Sequence, residues 1–196
     1  MNLGQTMITM GMFILLVMSV ISANRMLIEN TETSLQTEAL SESATIASDL
    51  FEEAQSKLFD QFVDTNRTNQ SPSEFSPPTG GSSLGWGPSS EEQAAVGPLP
   101  DTIGYGRSAR SIAAYGDMDD YNGYTRIVMA DSTQGIRIGG FLVTVQVKYV
   151  DPNLTPDPVT KELITVNYQT NMKTIQVAVE HPQYLPSITY RSLMSY

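Results

Sequence analysis

From Met1 to Asn24 no side chain carries a charge, and apolar residues run almost without interruption from Met7 to Ile21. A run of that length predicts a transmembrane helix, because about 20 helical residues cross the hydrocarbon core. Lipid offers backbone polar groups no partners, so they must pair within the helix. At Arg25 the composition changes, but the helical period continues. Leu27, Ile28, Leu35, Ala39, Leu40, Ile46, Ala47, Leu50, Phe51, Ala54, Leu58, Phe59, Phe62 and Val63 fall mostly three and four residues apart. Glu29, Glu32, Glu38, Glu42, Asp49, Glu52, Glu53, Asp60 and Asp64 take the other side, which is the pattern of an amphipathic helix. No proline or glycine interrupts residues 12–71. A single helix is therefore predicted over about 5–64, on the order of 85–90 Å long at 1.5 Å per residue, crossing the membrane over about 5–24. The Ser/Thr-rich stretch from Thr31 to Ser48 forms helix weakly and is the expected place for a bend.

Periodicity is then lost. From Asn66 to Gly106 prolines and glycines alternate with Ser and Thr, and residues 65–123 read as a loop-rich linker. Trp86 sits between Gly85 and Gly87 and is expected to pin this loop to the domain. From Tyr124 the period becomes two. Tyr124–Met129 is a short strand, and Ile136–Val150 is the clearest one. In the latter Phe141, Val143, Val145, Val147 and Tyr149 share a face, with Gly139-Gly140 near its start marking a bulge or kink. Glu162–Thr170 and Met172–Glu180 add two strands, and Ser187–Ser192 an edge strand beyond Pro182 and Pro186. Residues 124–196 thus read as an antiparallel meander with one face to bury. The amphipathic half of the helix is its cover, which makes the fold class α+β.

Composition removes several functions. A formal charge of −10 over 196 residues argues against a nucleic-acid partner, since phosphate binding needs a basic face. There is no cysteine, and His181 is the lone histidine, so thiolate chemistry, a Ser-His-Asp triad and multi-histidine metal sites lack raw material. No catalytic residue is assigned, and a non-enzymatic role is expected. Glu52-Glu53 and Glu91-Glu92 read as solvated carboxylates on the helix's polar face and in the linker, without the burial that tunes acid/base groups. His181 beside Pro182 reads as a turn residue.

An apolar N-terminal helix continuing as an amphipathic one, then a loop, then antiparallel strands, resembles the type IV pilins and pseudopilins. Met1-Asn2-Leu3-Gly4 is similar to their short leader (residues 1–4), with Gln5 as the new N-terminus after cleavage by a prepilin peptidase. The element Asp117-Met118-Asp119-Asp120-Tyr121-Asn122-Gly123-Tyr124 is similar to one in minor pilins of the mannose-sensitive haemagglutinin type. The resemblance implies a structural subunit of a pilus or secretion pseudopilus. It would sit in the bacterial inner membrane with its C-terminal domain outside the cytoplasm, and its partners would be other pilin-like subunits. Met7, Met10, Phe13, Ile14, Val17 and Ile21 would form the assembly surface. The leader lacks Lys and Arg, Gln5 stands where Phe or Met is usual, and Thr9 stands where most major pilins carry a glutamate. Thr9 shifts the expectation towards a minor or tip subunit. The competing expectation is a secreted or single-pass anchored β-domain that binds an extracellular partner, with Ile21-Ser22-Ala23 as a signal cleavage site.

One cluster bears on cofactors. Asp117, Asp119, Asp120 and Asn122 concentrate hard oxygen ligands ahead of Gly123. Two readings stand: a candidate calcium loop, and an acidic turn whose side chains cap local backbone groups. No other cofactor is expected.

Overall fold

In the computed structural model, residues 3–67, 70–79, 85–104, 109–131 and 137–196 are described. Met1 and Asn2 of the expected leader, Ile136 at the expected start of the longest strand, and parts of the 66–106 loop lie outside them. One helix, α1 (Leu3–Gln55), dominates the molecule. Its 53 residues extend about 80 Å. The Ser/Thr-rich stretch stays helical. Thr31, Thr33, Thr37 and Thr45 each donate the hydroxyl to the carbonyl four residues earlier, so the hydroxyls reinforce the helix's own acceptors rather than competing for its N–H groups.

The helix ends nine residues short of Asp64, where periodicity would have carried it. Tertiary pairing takes over there. Leu58 N–H donates to Gly116 O at 3.3 Å, and Met118 N–H donates to Leu58 O at 2.9 Å, which forms a short parallel bridge between Leu58 and Asp117. Phe59 and Asp60 then turn inward and are buried.

The sheet is mixed and six-stranded: β1 (Asp101–Ile103), β2 (Thr125–Asp131), β3 (Arg137–Val150), β4 (Thr165–Val166), β5 (Met172–His181) and β6 (Leu185–Ser195). Its order is β1-β2-β3-β5-β6, with β4 pairing on the end of β3. The expected antiparallel meander is present as β2-β3-β5-β6. The correction to that expectation is β1, a strand from the segment read as linker, which pairs parallel to β2. Three residues without alternation carry no strand signal of their own, so the pairing comes from β2's open edge. The expected strand over 162–170 shrinks to Thr165–Val166. The last strand is longer than expected and contains Pro186. A proline lacks an N–H, and an edge strand tolerates that.

Phe141, Val143, Val145, Val147 and Tyr149 are all fully buried on one face of β3. Ile175, Val177 and Val179 of β5 continue that face. Against it α1 lays Ala39, Ser43, Ile46, Ala47, Leu50 and Ala54. The small residues let the helix approach the sheet, and α1 packs on β5, β6 and β3. Between β2 and β3 the register slips, with Ala130 opposite Gly139 and Asp131 opposite Arg137. Gly139 has φ 112° there, a conformation that needs glycine, so the expected bulge is present.

The linker is partly built. Helix α2 (Ser90–Val96) carries a capping box in which Ser89 and Glu92 satisfy each other's backbone N–H groups. Glu92 is therefore a structural cap, not a solvated linker carboxylate. Trp86 packs on Tyr149 with ring centroids 5.1 Å apart and is buried, as its place between two glycines suggested. His181 closes the β5–β6 turn: its Nδ1 accepts from the N–H groups of Gln183 and Tyr184, each at 3.2 Å.

Candidate functional site

Two regions stand out: the exposed N-terminal part of α1, and a charged cluster buried beneath the helix's other end. Every residue of α1 from Leu3 to Ser34 is exposed. Its most apolar 18-residue window has a mean hydropathy of 2.1, with none of it buried. Length and composition suffice for this helix to cross a membrane. Met7 is 71% exposed, Phe13 68% and Val17 38%. The six residues expected to form an assembly surface are all on open helix, as are Ile8, Met12, Leu15 and Leu16 between them, so burial within the chain selects no face. Among the described residues nothing buries this apolar area, and leaving it in water costs about 25 cal/mol per Å².

Gly4 and Gln5 lie inside the helix, which begins at Leu3. Thr9 donates its hydroxyl to Gln5 O and Thr6 O, each at 3.0 Å. It therefore satisfies itself on its own helix and offers no charge to a neighbour. Where α1 passes the β5–β6 turn, Leu27, Ile28, Leu35 and Tyr184 line an open, mostly apolar groove of about 510 Å³.

The acidic element folds inward. A 3₁₀ turn, Asp119–Tyr121, holds the buried Asp119 and Asp120, and the loop before it the buried Asp117. Asp117 Oδ1 accepts the N–H groups of Asp119 and Asp120. Asp120 Oδ2 accepts those of Gly116 and Asp117. Asn122 Oδ1 accepts from Val147 N–H at 3.2 Å. Asp117 and Asp120 thus cap local backbone, as one of the two readings of the cluster had it, while Asn122 reaches β3. Among the described residues no group of three or more His, Cys, Asp or Glu side chains is arranged to hold a metal ion. Burial, then the charges of Asp119 and Asp120, pushes the Asp117 carboxyl far above the ordinary carboxylate range. Burial also raises Asp119, against the pull of Lys173.

Asp119 points away from solvent, to Lys173. The lysine has 0% side-chain exposure, and its Nζ donates to Asp119 Oδ1 at 2.6 Å, Asp60 Oδ2 at 3.0 Å and Phe59 O at 2.7 Å. The rings of Phe59, Tyr149 and Trp86 surround it at 4.6, 5.0 and 5.3 Å. A second buried pair lies nearby. Glu53 Oε2 meets Arg126 Nη1 at 2.9 Å, while Oε1 accepts from Ser111 Oγ and Tyr121 OH. Glu53, read as part of a solvated polar face, is thus a buried partner of the sheet.

The cluster's basic members escaped sequence reasoning, although a signal existed. Lys173 has the same strand parity as Ile175, Val177 and Val179, and Arg126 the same as Val128 and Ala130. A charge on the inward parity of a strand must find a buried partner. The partners are far away in sequence, so spacing alone does not identify them.

Set beside known proteins, the chain matches no protein-family model, no curated protein sequence and no solved structure.

Proposed function

We propose that the chain is a membrane-anchored, pilin-like structural subunit, held by its apolar helix before assembly and packed by it against like subunits in a pilus or pseudopilus. The observation that carries this reading is the continuity of α1. One half is apolar and uncovered, and the same helix, unbroken, forms the core of a sheet domain through its other half. A free-standing signal sequence or a simple tether has no need of that rigid continuity. A filament subunit does, because the helix that packs among its neighbours must fix the orientation of the domain it carries. The apolar groove beside Leu27, Ile28 and Tyr184 adds a surface for a neighbouring helix at the point where the bare segment meets the domain. The self-satisfied hydroxyl of Thr9 favours a minor or tip position, where no subunit ahead demands a charge partner.

The mature N-terminus, read by mass spectrometry of native material, tests this. A start at Gln5 is expected. An intact Met1 would leave a permanent single-pass anchor instead, and a start at Asn24 a secreted domain; either overturns the proposal. In assembly, Leu15→Asp or Val17→Asp places a carboxylate at the span's centre at a cost of about 2.5–3.5 kcal/mol. The expected result is loss of filament incorporation with the sheet domain still folded.

A further inference from the structure

The cluster around Lys173 has the parts of a condensation site. We propose that Lys173 and Asp119 become joined by an intramolecular amide bond between Nζ and the Asp119 side-chain carbonyl. The inference stands independently of the filament reading.

Geometry comes first. Lys173, Asp119 and Asp60 have fully buried side chains, and the Phe59, Tyr149 and Trp86 rings enclose the amine. Nζ is already within 2.6 Å of Asp119 Oδ1. Holding two reacting groups in place replaces an encounter in solution by an intramolecular step, worth effective molarities of about 10⁵–10⁸ M.

The two carboxyls differ, and the difference chooses the acceptor. Asp60 accepts from Phe62 N–H, Ser76 N–H, Ser76 Oγ, Tyr149 OH and Lys173. With five donors on its two oxygens Asp60 is a poor electrophile, while its Oδ2 already accepts an N–H from Lys173. Asp119 has only Lys173 on Oδ1, and its Oδ2 is buried without a donor. Asp117 supplies the missing piece. Its carboxyl, raised by burial and by its acidic neighbours, sits against Asp119, whose backbone N–H it accepts at 3.0 Å, and serves as the proton donor.

The step balances without oxidant or reductant. One ammonium proton passes from Lys173 to the Asp119 carboxylate, giving a neutral amine and acid. The Nζ lone pair attacks Asp119 Cγ, the C–N bond forms, and a second Nζ proton passes to Asp60 Oδ2. Asp117 donates its proton to the Asp119 hydroxyl, the C–O bond breaks, and water leaves. The proton held by Asp60 then restores Asp117. The net change is one ammonium and one carboxylate converted to one amide and one water. The bond would fasten the 3₁₀ turn ahead of β2 to the start of β5, clamping both ends of a segment that contains β2, β3 and β4.

Intact-mass spectrometry of the full-length protein in detergent, followed by tryptic mapping, decides the matter. The expected mass is lower than the sequence mass by one water. The map should contain a branched species joining 111–126 to 162–191, because trypsin cannot cleave after an acylated Lys173. Asp119→Ala should restore the full mass, and Asp117→Asn should leave a mixture of linked and unlinked chains. The wild-type result does not depend on whether any variant folds. An unshifted wild-type mass with free cleavage after Lys173 overturns the proposal, and so does a branch to the peptide 58–67, which would place the acceptor at Asp60.

Discussion

At the residue scale, the buried charges are the sharpest features of the molecule. Glu53 and Arg126 have side chains only 9% and 5% exposed. Removing one partner of such a pair strands the other in a medium that solvates it poorly. Glu53→Ala should therefore destabilise the sheet domain by about 3–5 kcal/mol, measured by denaturant unfolding. Glu53→Gln, which keeps acceptors for Ser111 and Tyr121, should cost less. Asp117 makes a pH prediction. Its folded carboxyl is raised, chiefly by burial, from the ordinary value of 3.8 to about 9. Between those values the folded protein keeps a proton that the unfolded chain has released, so stability falls as pH rises through that window. Asp117→Asn mimics the protonated form and retains an oxygen for the Asp119 and Asp120 N–H groups. Thermal melts should show wild type losing stability relative to Asp117→Asn as pH rises from acid to mildly alkaline, on top of any constant offset from a changed degree of linkage between Asp119 and Lys173. Burial is the first cause of the raised carboxyl, so the direction holds whether or not Asp119 is linked to Lys173.

At the element scale, α1 has two halves with opposite relations to the rest of the chain. In the second half, Leu50 is fully buried between Ala47 and Ala54 on the face that meets the sheet. Leu50→Ala opens a cavity there and should cost about 2–5 kcal/mol, read from the same unfolding curves. Leu40, which shares the apolar pattern of the stripe, is 46% exposed, and Leu40→Ala should change stability little. The contrast arises because the stripe expected from periodicity is broader than the strip of helix that touches the sheet. β3 behaves differently: from Phe141 to Tyr149 its alternation and its burial coincide, because its neighbours β2, β4 and β5 are all antiparallel and one face is covered by α1 and Trp86.

At the scale of the whole molecule, the described residues form one packed body with a bare rod attached. The rod's residues 3–34 contribute nothing to the core, so a chain lacking residues 1–24 should melt at the temperature of the full-length protein and remain soluble without detergent. A clear loss of thermal stability would show that the apolar half supports the domain. The sequence by itself determined the apolar span, the continuation of its helix as far as the sheet, and the β3, β5 and β6 strands. Those are local periodicities, and solvent or lipid reads them one residue at a time. It also located the acidic turn at Asp117–Asn122. The tertiary structure alone decided where α1 ends, that Asp101–Ile103 pairs with β2, and that Asp119 and Asp60 face Lys173 across 54 and 113 residues of chain. Each of these is a choice between partners distant in sequence. A backbone group or a charge leaves the local pattern when a better-placed partner is brought to it, and only the packed fold establishes which partner that is.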